Sequence, residues 1–381
     1  MGGLIRQGRD LRVDFARGIA LWFIFVDHVP GNVLGRLTIR NLLLCDATEI
    51  FVLLAGYAAG IAYGRQMERE GWLRAGTRVA GRCFTLYVAH IFLFVVFTAQ
   101  VGYSAATLDT SAYLDEMHLD PFRDEPYLAL LQALFLAYQP AFLNILPLYI
   151  VVLGLFALSL PLLRRPAWLL GASLLLYAVA RLLPMNLPSW TGGGWFFNPF
   201  AWQLLFAIGA VLGHGSAGKG PAGLPWRRPL GVAAALVLVL SFAITLVIYL
   251  RRDLITLLPL PVASVVDAVD KTALHPFRLL SILALAYLVA HAVPRGAGWL
   301  RGVLAQSFVL IGQQGLPVFC AGIFLSFLGR LAVEWSEGWA MQLAVNAVGL
   351  GAMVAIAAAV AWASLKPARS ALPVHPAADT A

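Results

Sequence analysis

An arginine at 17 and a histidine at 28 sit in one apolar run, "RDLRVDFARGIALWFIFVDHVP", with Asp27 beside the histidine. Eleven helical positions at 100° each return to within about 20° of the same face, after a rise of about 16 Å. The two side chains therefore share one stripe. A guanidinium fork at one end suits a phosphate or carboxylate, and an imidazole at the other suits acid-base work on a group delivered to it. Asp14, three positions before Arg17, is placed to pair with it on the helix surface. Ionisable groups in an apolar helix cost a few kcal/mol each on insertion scales, so they tend to face a bundle interior and to serve function. A snorkelling arginine or a carbonyl-bonded histidine accounts for either residue alone; their common face favours chemistry.

Further polar residues stand in or beside the later apolar runs. In "CDATEIFVLLAGYAAG", Asp46 and Glu49 are three apart, and Gly56 and Gly60 continue their face. Small residues at this spacing let helices approach closely, and the expected neighbour is the first helix. There Asp46 or Glu49 would orient His28; the plainer reading is a pair of solvated carboxylates at a membrane boundary. "LPSWTGGGWFFNPFAWQ" offers Trp190, Trp195 and Phe196 for stacking on the flat face of a ligand, or as an interfacial aromatic belt. Asn144 and Tyr149 in "NILPLY", with Lys271 and Arg278 in "DKTALHPFR", are further polar groups near helix ends that could contact a polar ligand or its free carboxylate. Loop ion pairs and snorkelling explain the two cations equally well.

These residues must be positioned by membrane helices. The 381-residue chain is 60% apolar and 12% charged, with a mean hydropathy of +0.80. Apolar runs long enough to cross a hydrocarbon core of roughly 30 Å recur at 15–35, 45–64, 80–101, 144–163, 167–184, 199–214, 229–250, 275–293, 303–328 and 340–364. The predicted architecture is all-α and polytopic: ten helices in a single domain over 1–365, with a Pro- and Ala-rich disordered tail at 366–381. Arg6, Arg9 and Arg12, then Arg65 to Arg78, Arg164 and Arg165, Lys219 to Arg228, Arg295 and Arg301, and Lys366 with Arg369 fall on alternate connections. The positive-inside rule makes those sides, and both termini, cytoplasmic. The connection at 107–126 is acidic and faces outward; "YLALLQALFLAYQ" after it is short enough to be re-entrant or interfacial. No cleavable signal pattern opens the chain. The net charge of +8 records orientation rather than nucleic-acid binding. Cys45, Cys83 and Cys320 match no metal or redox spacing and read as packing residues, and no metal is expected.

Six blocks in order resemble the OpgC family, within the wider acyltransferase-3 group of membrane O-acyltransferases. They are the first run quoted above, "DATEIFVLLAGYAAGIAYG", "QPAFLNILPLYIVVL", "NPFAWQLLFAIGA", "DKTALHPFRLLSILALAYLVAH" and "IGQQGLPVFCAG". The resemblance implies a ten-helix inner-membrane protein that moves an acyl group, by family succinyl, from cytoplasmic acyl-CoA to hydroxyls of a periplasmic glucan. It implies that His28 is catalytic, as the histidine of an arginine, ten-residue, histidine spacing. Arg78 and Arg82 in "RVAGRCFTLY" resemble basic positions that would join Arg17 in holding the donor's phosphates. Where related proteins often carry a basic residue and a serine, this chain has Gln314 and Gly315. His28 would act as a general base helped by Asp27, Asp46 or Glu49, or through an acyl-histidine; both routes stay open. The competing class is a transporter or flippase using the same intramembrane charges, although the paired inverted repeats common in transporters are not evident.

Overall fold

The structure, a computed structural model, describes residues 4–6, 8–219, 224–250, 269–336 and 338–365, and the tail at 366–381 lies outside them. Among the described residues the fold is all-helical, with one isolated backbone bridge between Pro188 and Gly194. We number eleven principal helices: α1 Leu11–Asp27, α2 Ala47–Glu70, α3 Trp72–Thr107, α4 Ile145–Ser159, α5 Pro166–Leu182, α6 Pro199–Lys219, α7 Arg228–Leu250, α8 Pro276–Ala292, α9 Val303–Gln313, α10 Gly315–Trp335 and α11 Trp339–Ala363. Six of them, α2, α3, α4, α7, α10 and α11, are long and apolar enough to cross a membrane, α4 by counting the 3₁₀ turn that follows it; α5, α6, α8 and α9 give shorter apolar stretches. The expected run at 303–328 is two helices. Gln314 leaves helical geometry at φ −106°, ψ 36° and divides α9 from α10.

α1 opens on Asp10, whose carboxylate accepts from the Arg12 backbone amide, and closes at His28 just before Pro30 and the left-handed Gly31. Burial alone would raise the Asp10 carboxyl, but the Arg12 guanidinium bonded to it holds it below the usual range. α1 is clasped by α9. A Cβ on Gly18 would run into the Phe308 carbonyl, and one on Gly312 into the Asp14 carbonyl. The glycines of α2 have a different partner from the expected one. Gly56 and Gly60 face the carbonyls of Phe206 and Ala210 on α6, and Gly209 and Gly213 of α6 face Leu53 and Tyr57 in return. Glycines on both helices at four-residue spacing give this pair the closest approach available, whereas the small position on α1, Gly18, is already taken by α9. α1 and α2 still touch along their length.

At one end of the bundle lie the connections rich in arginine. At the other lie Asn32–Cys45, the acidic loop with short helices Ala112–Glu116 and Asp120–Asp124, the helix Pro126–Leu134, and the loop from Leu183 to Asn198. Pro126–Leu134 runs back along α3, and the Tyr87 hydroxyl bonds the Leu134 carbonyl at 2.9 Å. Tyr87 lies twenty residues before the end of α3, about 30 Å of rise, so this helix dips down the bundle as a re-entrant segment does. Arg330 of α10 pins the acidic loop: it pairs with Glu116 and Glu334 and lies over the Tyr113 ring. Burial of the loop's Leu119 and Met117 completes that attachment.

Candidate functional site

Near its start, α1 builds a buried anchor for Arg17. Asp14, almost wholly buried, accepts two bonds from Arg9 at 3.0 and 2.9 Å and one from the Gln313 amide at 3.0 Å. Arg17 stands 3.7 Å from the same carboxylate, in the expected (i, i+3) pairing, and its Nη2 donates to the Leu54 carbonyl of α2 at 3.1 Å. Gly315 lies against Arg17; a Cβ there would come within 3.5 Å of its Cδ. A serine at that position would have to share this space. Arg82 and Tyr149 lie within electrostatic range of each other and of Arg17. Two guanidiniums and a phenol from three helices thus gather at one level. Arg78 is placed elsewhere: it is exposed and stands 3.6 Å from Glu70.

At the far end of α1, the His28 backbone amide caps the helix on Ile24 and Phe25, and its ring folds back so that Nδ1 lies 2.6 Å from the Ile24 carbonyl. A carbonyl only accepts, so Nδ1 carries the proton and Nε2 keeps its lone pair. Nε2 has no protein hydrogen-bond partner among the described residues. The ring meets Phe142 edge-on, with centroids 4.3 Å apart and planes at 89°.

The carboxylates expected to orient His28 have other partners. Asp27 accepts from the Thr38 hydroxyl at 2.7 Å. Asp46 and Glu49 form the capping box of α2, with Glu49 accepting from the Asp46 backbone amide at 2.9 Å. This arrangement satisfies orphan amides at the helix start. Arg278 then closes on Glu49 through Nε at 2.7 Å and Nη2 at 2.6 Å and reaches Asp46 at 3.2 Å, while Lys271 pairs with Asp46. Glu49 is fully buried and Arg278 nearly so. Lys271 is held in place by its backbone, whose carbonyl accepts from the Trp202 indole at 3.1 Å. The orientation of His28 therefore comes from its own helix, and the four-charge cluster stands beside it, with Asp46, Lys271 and Arg40 all within electrostatic range of both His28 and Asp27.

The aromatic loop is divided. Trp195 is buried in the loop's own fold, its amide bonded to the Leu187 carbonyl at 2.9 Å. Trp190 packs on Tyr138 and donates its amide to Ala137, and Phe196 is half exposed against Phe197. Only Trp190 and Phe196 of the three have faces open to a ligand. Asn144 stands at the start of α4 with its side chain unused as a cap. Residues that the spacing did not single out complete the site: Arg9 and Gln313 around Asp14, Arg40 beyond His28, and Phe142 over it. The adjacent glutamines in an apolar run were a visible signal for Gln313; Phe142 carried none.

No curated protein and no solved structure matches the chain. A family model described as OpgC protein matches residues 9–365, nearly all of a chain whose helices have the lengths and apolarity of a multi-pass membrane protein, and the chain belongs to the OpgC family.

Proposed function

We propose that the protein is a membrane O-acyltransferase of the bacterial inner membrane that moves an acyl group, succinyl by family, from acyl-CoA to a hydroxyl of a periplasmic glucan. The observation that carries this reading is the pair of polar stations on α1: Arg17 with Arg82 and Tyr149 near its start, and about 16 Å along the axis a histidine whose Nε2 has no hydrogen-bond partner among the described residues. Ten spans with both termini cytoplasmic place the first station at the cytoplasmic mouth and the second toward the outside. The phosphates of the donor bind the guanidiniums, and its extended arm carries the thioester up the stripe to His28.

There Nε2 accepts the proton of a sugar hydroxyl as the oxygen attacks the thioester carbonyl. The carbon–sulfur bond breaks, and the imidazolium returns its proton to the departing thiolate. The proton count closes without any metal. An acyl-histidine route uses the same lone pair as nucleophile and then admits the sugar. Trp190 and Phe196 offer faces for the acceptor, and Asn144 at the start of α4 has a side chain not used as a cap. Lys271 and Arg278 belong first to the Asp46 and Glu49 cluster; a free carboxylate on the donor would meet Lys271 before Arg278, whose guanidinium is taken up by two carboxylates.

The test compares wild type with His28→Ala, at equal membrane expression, in cells lacking endogenous activity. Periplasmic glucans are weighed by mass spectrometry. Added acyl mass in wild type alone is expected and identifies the group transferred. Equal modification by both removes His28 from the reaction, and none in either removes the glucan as acceptor.

A further inference from the structure

We infer that Phe142 is a positioning residue: its ring holds the His28 imidazole in the orientation that frees Nε2 and shields the reacting thioester from water on the acidic-loop side. The inference rests on the transferase reading above.

Three observations lead to it. The Phe142 ring is 4.3 Å from the His28 ring at a right angle, an arrangement favourable for aromatic pairs and a fixed wall for the imidazole. Phe142 also has φ +71°, a left-handed conformation that a bulky residue adopts only under strain. Such strain persists where the surroundings over-determine it, and it clusters at functional sites. The surroundings here are explicit. The loop from Phe135 to Asn144 is tied to the acidic connection by Ala141 N–H to the Met117 carbonyl at 3.0 Å and by the Tyr138 hydroxyl to the His118 carbonyl at 2.7 Å. It is tied to the aromatic loop by Trp190 N–H to the Ala137 carbonyl at 3.0 Å, and Leu143 next to Phe142 is wholly buried.

An aromatic file runs from the same ring to the acidic loop. Phe142 meets Phe97 of α3, Phe97 meets Phe327 of α10, and Phe327 meets Tyr113, which Arg330 covers. The wall against His28 is thus braced by two helices and by both loops at that end. An imidazole bonded through Nδ1 alone could still swing about that one bond; a ring packed at right angles against it removes the freedom. A ring packed this closely on the imidazole also takes up space that water would otherwise fill beside a thioester brought to His28. Water there would take the acyl group, releasing a free carboxylate and the thiol in place of the sugar ester.

The experiment uses the full-length protein purified in detergent or nanodiscs with acyl-CoA and glucan. It follows thiol release with and without acceptor and ester formation by mass spectrometry. Phe142→Ala and Phe142→Leu are expected to lower ester formation at least tenfold with the donor KM within about threefold of wild type. They are also expected to raise acceptor-free hydrolysis severalfold, and Phe142→Tyr is expected to restore coupling. A purely structural role lowers both rates together and raises no hydrolysis, so that pattern, or wild-type coupling in the Ala and Leu variants, overturns the inference. Should Phe142→Ala fail to fold, Phe142→Leu carries the same comparison. If wild type forms no ester with any donor, the transferase reading itself falls and takes this one with it; if wild type is active and the variants match it, only the role of Phe142 falls.

Discussion

A histidine bonded to its own helix is a different reagent from one backed by a carboxylate. The Ile24 carbonyl fixes the tautomer of His28 without adding a negative charge, so on the transferase reading the imidazolium formed during transfer, with the cations Lys271 and Arg40 in range beside Asp46, returns its proton readily. Replacing Asp46 or Glu49 should therefore act on stability before chemistry. Glu49→Gln leaves Arg278 buried and half paired, a loss that costs about 3–5 kcal/mol where it has been measured in other proteins. The expected result is a clear fall in thermal midpoint of the detergent-solubilised protein, with Glu49→Leu/Arg278→Met recovering much of it. Recovery of the fold with loss of turnover in the double variant would instead make the cluster part of the chemistry. At the other station, Arg17→Lys keeps the charge and loses the fork. It is expected to raise the donor KM about tenfold with kcat little changed, read from initial rates. The spacing of Arg17, Asp14 and His28 was legible from the chain because all three lie on one helix. The Arg278 to Glu49 pair joins residues 229 positions apart, and nothing in either local stretch announced the other.

Among the elements, helix choice depends on which glycine faces meet. The apolar runs, the break before Pro30 and the dipping segment after the acidic loop were readable from hydropathy and Pro–Gly punctuation. The partner of Gly56 and Gly60 was not, because a small face shows where close packing is possible and not with whom; the reciprocal glycines of α6 decide it. Gly60→Val puts a branched side chain against the Ala210 carbonyl. It is expected to push α2 from α6, lower the thermal midpoint and lower turnover, since α2 also carries the Leu54 carbonyl that holds Arg17. Gly76→Ala in α3, where nothing lies within 4 Å of a new Cβ, is the matched control and should leave both unchanged. The interruption at Gln314 was equally invisible in a continuous apolar run, yet it sets Gln313 on Asp14 and Gly315 on Arg17.

For the whole molecule, the end opposite the arginine-rich connections is held by polar contacts between segments far apart in sequence. Asn32 and Asn346 exchange two amide bonds of 3.0 Å, and Gln342 receives Val33 N–H and donates to Gly31, tying the turn after α1 to α11. Arg330 does the same for the acidic loop. Arg330→Met should release that loop, seen as faster amide exchange over 111–125 with exchange in α1 and α9 unchanged. If Arg330 serves only local packing in α10, exchange over 111–125 stays at the wild-type rate.

The lengths of the helices bear on the bilayer itself. α3 has 36 residues, about 54 Å of rise, while α1, α5 and α8 have 17 each, about 25 Å, against a hydrocarbon core of roughly 30 Å. Short spans draw the lipid thin around them, and the long one tolerates any thickness by projecting beyond it. Where α5 and α8 face lipid, they favour a bilayer thinned toward their own length. On the transferase reading, thinning brings the two aqueous phases closer to the span of one extended thioester arm, so turnover should fall as the lipid tails of reconstituted bilayers are lengthened.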